Sequence, residues 1–201
     1  MRPSKLLRET VTLKDGRKVV LRPIDPSDAP ELIELHKSLS FESQFFRFFG
    51  PKPELTAVEA DYLANVDFHK RFAIVAEADI GGAKKVVGVG RFDVNEPKLA
   101  EAAIVVTDAY QGQGLGTAML TRMREIGKGA GLDAFTAEVL AENERMLDIL
   151  RVQGLDLEEI TPGVLRVRAP LELPALIKGL RASAQITSAI LERLPKPPRI
   201  G

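Results

Sequence analysis

The chain has 201 residues, with 28 Lys plus Arg set against 28 Asp plus Glu, no Cys and two His. Zero formal net charge provides no global field for nucleic acid or an acidic membrane surface, and the missing thiols exclude disulfides, thiolate metal sites and a cysteine nucleophile. His36 and His69 are too few for a histidine-rich metal cluster, and no apolar run approaches the roughly 20 residues of a membrane span, so the expectation is a cytoplasmic protein without a metal.

Residues 1–9 read as a flexible arm. Thr10 to Leu13 and Lys18 to Arg22 flank Lys14-Asp15-Gly16-Arg17, a hairpin signal because Asp-Gly accepts the positive φ angles of a tight turn. Pro23 to Ser27 breaks the strand. From Asp28, Leu32, Ile33, Leu35 and Leu39 recur at helical spacing, with His36 expected on the polar side. A second helical stretch, Phe41 to Phe49, carries five of the nine phenylalanines and reads as core. Thr56 to Glu59 is a capping-box sequence opening a helix that ends near Val66.

Phe72 to Glu77 and Val86 to Val94 read as strands around a turn containing Gly81-Gly82, with His69, Lys70-Arg71 and Lys84-Lys85 solvated in loops. Next comes a β-branched run, Ala102 to Val106, a polar turn, Thr107 to Tyr110, and then Gln111-Gly112-Gln113-Gly114-Leu115-Gly116. After it, Leu115, Met119, Met123 and Ile126 share one face of a helix to Lys128. Ala134 to Leu140 reads as a strand, and Asn143 to Gln153 as a helix stopped by Gly154. Leu157 to Thr161 and Val164 to Ala169 form a last hairpin. Beyond it, residues 171–201 predict an amphipathic helix with a Pro-rich end, packed on its own domain or paired with a second subunit.

The strand, glycine turn and helix together are a recipe for holding phosphate. Three glycines leave backbone N–H groups unshielded at the positive end of a helix. No Walker string, Gly-x-x-x-x-Gly-Lys-Ser/Thr, occurs. A dinucleotide fingerprint starting at Gly112 would need glycine where Thr117 stands, and five residues separate the strand from the glycines; Glu138, at the spacing of a ribose-binding acid, keeps that reading open.

Gln111 to Gly116 resembles the Gln/Arg-x-x-Gly-x-Gly/Ala motif of the GNAT superfamily of acyl-CoA-dependent N-acyltransferases. Asn143 through Gly154-Leu155 is similar to that family's next segment, where an Asn opens a helix closed by Gly-Phe. The order of elements over residues 19–169 also follows the family. Leu21-Arg22-Pro23-Ile24, Asp28-Ala29, Ser43 to Phe49 and Ala100-Glu101 resemble bacterial protein-lysine acetyltransferases within it.

The resemblance implies one α/β domain of the α+β type over residues 10–170, with a mixed, mostly antiparallel sheet, splayed central strands and flanking helices. It implies acetyl-CoA, or another acyl-CoA, as co-substrate without a metal. Gln111, Gly112, Gln113, Gly114, Leu115, Gly116 and Thr117 would hold the pyrophosphate. Backbone groups of Ile104, Val105 and Val106 would hold pantetheine and thioester, and the Asn143 side chain would contact the pantetheine. Glu101 matches the general base that deprotonates the acceptor amine. Strand alternation sets Glu101, Ala103 and Val105 on one face, which suggests a carboxylate among apolar neighbours. The Phe41 to Phe49 rings then have a second reading, as walls of the acceptor pocket. Leu150 stands where many members carry a thiolate-protonating Tyr, as it tends to in the protein-lysine branch. The acceptor is expected to be a protein lysine, with a small-molecule amine or a non-catalytic acyl-CoA sensor as alternatives. A homodimer through the C-terminal helix is a further expectation.

Overall fold

A computed structural model describes residues 8–152 and 156–172. The expected C-terminal helix, the Gly154 helix stop and most of the N-terminal arm lie outside the described residues. In chain order come strand β1 (Glu9–Thr12), β2 (Lys18–Pro23), helices α1 (Ala29–Ser38), α2 (Phe41–Phe48) and α3 (Ala57–Ala64), then β3 (Arg71–Ile80), β4 (Ala83–Glu96) and β5 (Leu99–Val106). Helix α4 (Leu115–Gly129), β6 (Ala134–Leu140), α5 (Glu144–Val152), β7 (Asp156–Thr161) and β8 (Val164–Pro170) follow. β1 takes in Glu9, the last residue of the stretch read as an arm.

The eight strands form one sheet in the order β1-β2-β3-β4-β5-β6-β8-β7. Every pairing is antiparallel except β5 with β6. That one parallel pairing is brief: Leu99, Ala100 and Glu101 oppose Ala134, Phe135 and Thr136. Beyond Glu101 the two strands part, while β5 stays paired with β4 as far as Val106. The sheet therefore opens in its middle, as the family resemblance implies.

Apolar residues fill both faces. On one, α4 sets Leu115, Met119 and Met123 against Phe72, Phe92 and Phe135, whose rings stack at 4.7 and 4.8 Å between centroids. A methionine ridge fits there because β4 carries glycine: a Cβ at Gly90 would lie 2.6 Å from the Met123 sulfur. On the other face α1 and α3 lay Leu32, Leu35, Leu39, Ala60 and Ala64 on Ala73, Val75 and Val89. A third cluster, Leu147 and Leu150 with Val139 and Val167, seats α5 on β6 and β8.

Two ends are fixed by polar contacts. Thr56 and Glu59 cap α3 reciprocally, at 3.3 and 2.9 Å, as the capping-box sequence predicts. Arg22 on β2 grips both carboxylate oxygens of Asp28 at 2.7 Å, before α1, and reaches Glu77 on β3 at 2.8 Å. Hydrogen bonds donated to the Asp28 carboxylate outweigh burial and hold the Arg22 guanidinium firmly protonated.

Two side-chain expectations are corrected. His36 is not on a polar face: it is 2% exposed, its Nε2 lies 2.9 Å from the Lys52 carbonyl oxygen, and Phe48 meets its ring edge-on. The chain doubles back from α2 through residues 50–55 over α1, so a helix side that looks polar in sequence is covered. Nor is the Phe41 to Phe49 cluster core. Helix α2 buries no residue, and Phe41 is 69% exposed, because β5, the loop after it and the end of α1 cover only part of this short helix.

Candidate active site

The glycine turn takes up the conformation that its sequence requires. Gly112 and Gly114 have φ of 72° and 87°, the left-handed region that side chains disfavour. Gly114 is the N-cap of α4, and no side chain caps that end. The first-turn amides of a helix have no partners within it, so α4 presents free donors and the positive end of its dipole. Leu115 is buried among Met119 and its neighbours and anchors the turn. Thr117 is exposed on the first turn of α4.

The β1–β2 turn buttresses this loop. The Lys14 amide donates to the Gln113 carbonyl at 3.1 Å, and Arg17 donates to the Ala109 carbonyl at 2.7 Å while lying over the Tyr110 ring. The Lys14 side chain passes beside Gly114.

A cleft of about 340 Å³ runs from the turn along the gap where β5 leaves β6. Ile104, Val105 and Val106 form one wall, Gly112 and Gly116 the floor at the helix start, and Asn143, Met146 and Ile149 the far side. Ser43, Phe46 and Arg47 of α2 close one end. The cleft thus gathers Ile104, Val105, Val106, Gln111, Gly112, Gly116 and Asn143 from the expected binding set. Gln113, Gly114, Leu115 and Thr117 flank it without lining it.

Several side chains at the cleft have partners within the protein. Gln111 bridges the cleft: its Nε2 donates to Ser43 Oγ at 3.0 Å and to the Val106 carbonyl at 2.9 Å, while its Oε1 accepts from Arg145. Asn143 spends its side-chain oxygen as a helix cap, accepting from the Met146 amide at 3.1 Å. Asp108, after β5, accepts from the Ser40 amide and the Ser40 and Ser43 hydroxyls at 2.7–2.9 Å and so pins α2 over the cleft. Burial pushes the Asp108 carboxyl up, but these hydrogen bonds outweigh it and leave the pKa below the usual value.

Glu101 is the last residue at which β5 pairs with β6, so it marks the fork. Its side chain is exposed rather than enclosed by apolar neighbours, and it shares an electrostatic environment with Arg47. Leu150 is buried against β6 and β8 and supplies no proton donor. His69 is exposed in its loop. Sequence reasoning missed Ser43, Arg47, Asp108 and Arg145. The phenylalanine-rich stretch pointed to α2 as a source of substrate contacts, but contacts between residues more than 60 positions apart leave no local pattern.

An open strand edge beside an uncapped helix start suits an elongated ligand that is anionic at one end and hydrogen-bonds an extended backbone at the other. That combination fits the acyl-CoA cleft that the family resemblance implies. The profile of the acetyltransferase (GNAT) domain matches residues 18–156, and the chain belongs to the GNAT acetyltransferase family.

Acetyltransferase PA5475 of Pseudomonas aeruginosa is 28% identical over 144 residues, covering 71% of this chain and 77% of that protein. Acetyltransferase Pat of Mycolicibacterium smegmatis is 28% identical over 143 residues, 70% of this chain and 42% of Pat, so the chain spans less than half of that relative. The GNAT domain of S. lividans PAT has the same fold, with a TM-score of 0.75 and 30% identity over 83% of this chain and 98% of that domain. Among the described residues, no helix is long and apolar enough to cross a membrane.

Proposed function

We propose that the chain moves an acetyl group from acetyl-CoA to an amine, foremost the side chain of a protein lysine, by direct attack with Glu101 as general base. The observation that carries this reading is the fork at Glu101. Past it, the β5 backbone has no strand partner on the side that faces the cleft.

The uncapped α4 end and the turn at Gly112 to Gly116 receive the pyrophosphate through backbone N–H groups, helped by the nearby Lys14 ammonium. The unpaired edge at Ile104 to Val106 takes the pantetheine as an added strand would. One of its N–H groups then steadies the oxyanion that forms on the thioester carbonyl. Gln111 and Asp108 hold α2 across the cleft, which keeps the thioester in place and excludes water.

A lysine amine, with a pKa near 10.4, arrives protonated at neutral pH. The Glu101 carboxylate accepts that proton, directly or through a water, and the freed lone pair attacks the thioester carbonyl. The tetrahedral intermediate loses its second amine proton to water and collapses to amide and CoA thiolate. A thiol pKa near 8.5 lets the thiolate depart without a protein acid, consistent with the aliphatic Leu150.

The resemblance of Leu21 to Ile24, Ser43 to Phe49 and Ala100-Glu101 to protein-lysine acetyltransferases favours a lysine acceptor. The test is thiol release from acetyl-CoA with a panel of lysine peptides, proteins and small amines, with products weighed by mass spectrometry. Acetylated lysine in peptides supports the reading. Acetylation confined to small amines replaces the acceptor, and CoA binding without turnover makes the domain a sensor.

A further inference from the structure

The β4–β5 register sets Val89, Arg91 and Asp93 opposite Val105, Ala103 and Glu101, so all six share one face. Arg91 is the unusual member. Its side chain is only 9% exposed, and its Nη2 makes no hydrogen bond. Asp93 Oδ1 stands 3.7 Å away, beyond hydrogen-bond reach, and is itself without a hydrogen bond. Arg71 lies 4.0 Å from the same oxygen but gives its terminal nitrogens to the Asn65 and Tyr62 carbonyls.

Arg47 of α2 reaches the same place. It makes no hydrogen bond or ion pair among the described residues, and its guanidinium lies over the Phe48 ring at 5.2 Å. Arg47 and Arg91 line a small cavity of about 50 Å³, otherwise walled by apolar groups such as Leu63, Phe48, Ala103 and Val105. Arg47 also lines the larger cleft, so it stands where the two spaces meet. Burial and then the Arg91 charge lower the pKa of Arg47, only partly offset by Glu101 and Asp93. Burial does the same to Arg91, against the pull of Asp93. A buried guanidinium held only by the long 3.7 Å ion pair to Asp93, beside a half-buried one with unspent donors, forms a site that an arriving carboxylate would complete.

We propose that Arg47 and Arg91 form a carboxylate-binding subsite beside Glu101, which selects amine acceptors bearing an acidic group close to the reacting amine. The subsite rests on the N-acetyltransferase reading for its purpose, but not for its chemistry. With room for little more than a head group, it takes a carboxylate presented on a flexible arm: an Asp or Glu side chain flanking a lysine in a peptide, or the main-chain carboxylate of a free lysine derivative.

Binding and transfer are to be measured separately on the full chain. Fluorescence anisotropy, with CoA present, compares a labelled Glu-Lys-Glu peptide with its Gln-Lys-Gln isostere, and unlabelled Nα-acetyl-lysine competes against Nα-acetyl-lysine amide. Acetyl transfer to the same four acceptors is followed by mass spectrometry. The expected result is about tenfold tighter binding of the acidic member of at least one pair, as suits a charge-assisted bond. Preference in the peptide pair assigns the carboxylate to a protein neighbour, and preference in the lysine pair alone assigns it to a free amino acid.

Arg91→Gln should bring the ratio near one, and Arg91→Lys should restore part of it. Arg47→Gln supplies the same reading if circular dichroism shows Arg91→Gln unfolded. Equal affinities in the wild type, or an unchanged ratio in folded Arg91→Gln and Arg47→Gln, overturn the subsite. Transfer without preference overturns the subsite and leaves the acetyltransferase reading standing. Preference in binding with no transfer does the reverse.

Discussion

Gly114 shows how a single residue serves both backbone and ligand. Its φ of 87° costs any side chain strain on the order of 1–2 kcal/mol, and it caps the helix end proposed to meet the pyrophosphate. Strain and electrostatics can be separated by charge reversal. Gly114→Glu and Gly114→Lys share the backbone penalty, but only the glutamate repels phosphate. We expect CoA affinity by calorimetry to fall about a hundredfold or more in Gly114→Glu and much less in Gly114→Lys; equal losses would reduce the effect to strain. Gln111 holds a different lesson. Its side chain is consumed by Ser43, the Val106 carbonyl and Arg145, so its place in the glycine motif is as a tie across the cleft.

Among the elements, α2 depends most on contacts made elsewhere. It buries no residue and is held by Asp108 through Ser40 and Ser43. Asp108→Ala should weaken CoA binding about tenfold, measured by calorimetry. Because the folded-state pKa of Asp108 is depressed, its contribution to stability is present above the unfolded value near 3.9 and is lost as pH falls through the lower folded value. Denaturation midpoints of wild type and variant should therefore differ at pH 7 and converge near pH 2. The Arg22–Asp28–Glu77 triad sits under the start of α1, and Asp28→Ala, which removes the bidentate partner and leaves the Arg22 guanidinium with Glu77, should cost about 3 kcal/mol in chemical denaturation. The elements themselves were legible: Asp15-Gly16, Thr56 with Glu59, and the β-branched run into the glycines each encode local structure by short-range chemistry. The positions of His36 and the α2 phenylalanines were not. A helical pattern tells which residues share a face, but the covering of that face is decided by segments that return from far along the chain.

At the scale of the whole molecule, the fork in the sheet separates two tasks. On one side of β5, α4 and α5 enclose the cleft; on the other, Arg91 and Arg47 line the space proposed for the acceptor, with Glu101 on the same face of the sheet. With no Cys in the chain, no cysteine thiolate can carry the acetyl group, and the proposed direct attack requires donor and acceptor to be bound together. Initial-rate plots should therefore intersect, and labelled CoA should not exchange into acetyl-CoA without an acceptor; parallel plots with exchange would point to a covalent intermediate. The fork and the cleft could be expected from the family pattern, whereas the pairing of Arg47 with Arg91 could not, because it depends on cross-strand register and on where α2 lands. The most direct measurement on the central claim is acetyl transfer and CoA affinity in Glu101→Gln. Loss of about a hundredfold or more in kcat, with CoA affinity unchanged, is the expected result. Turnover equal to that of the wild type would contradict general-base catalysis by Glu101 at the fork.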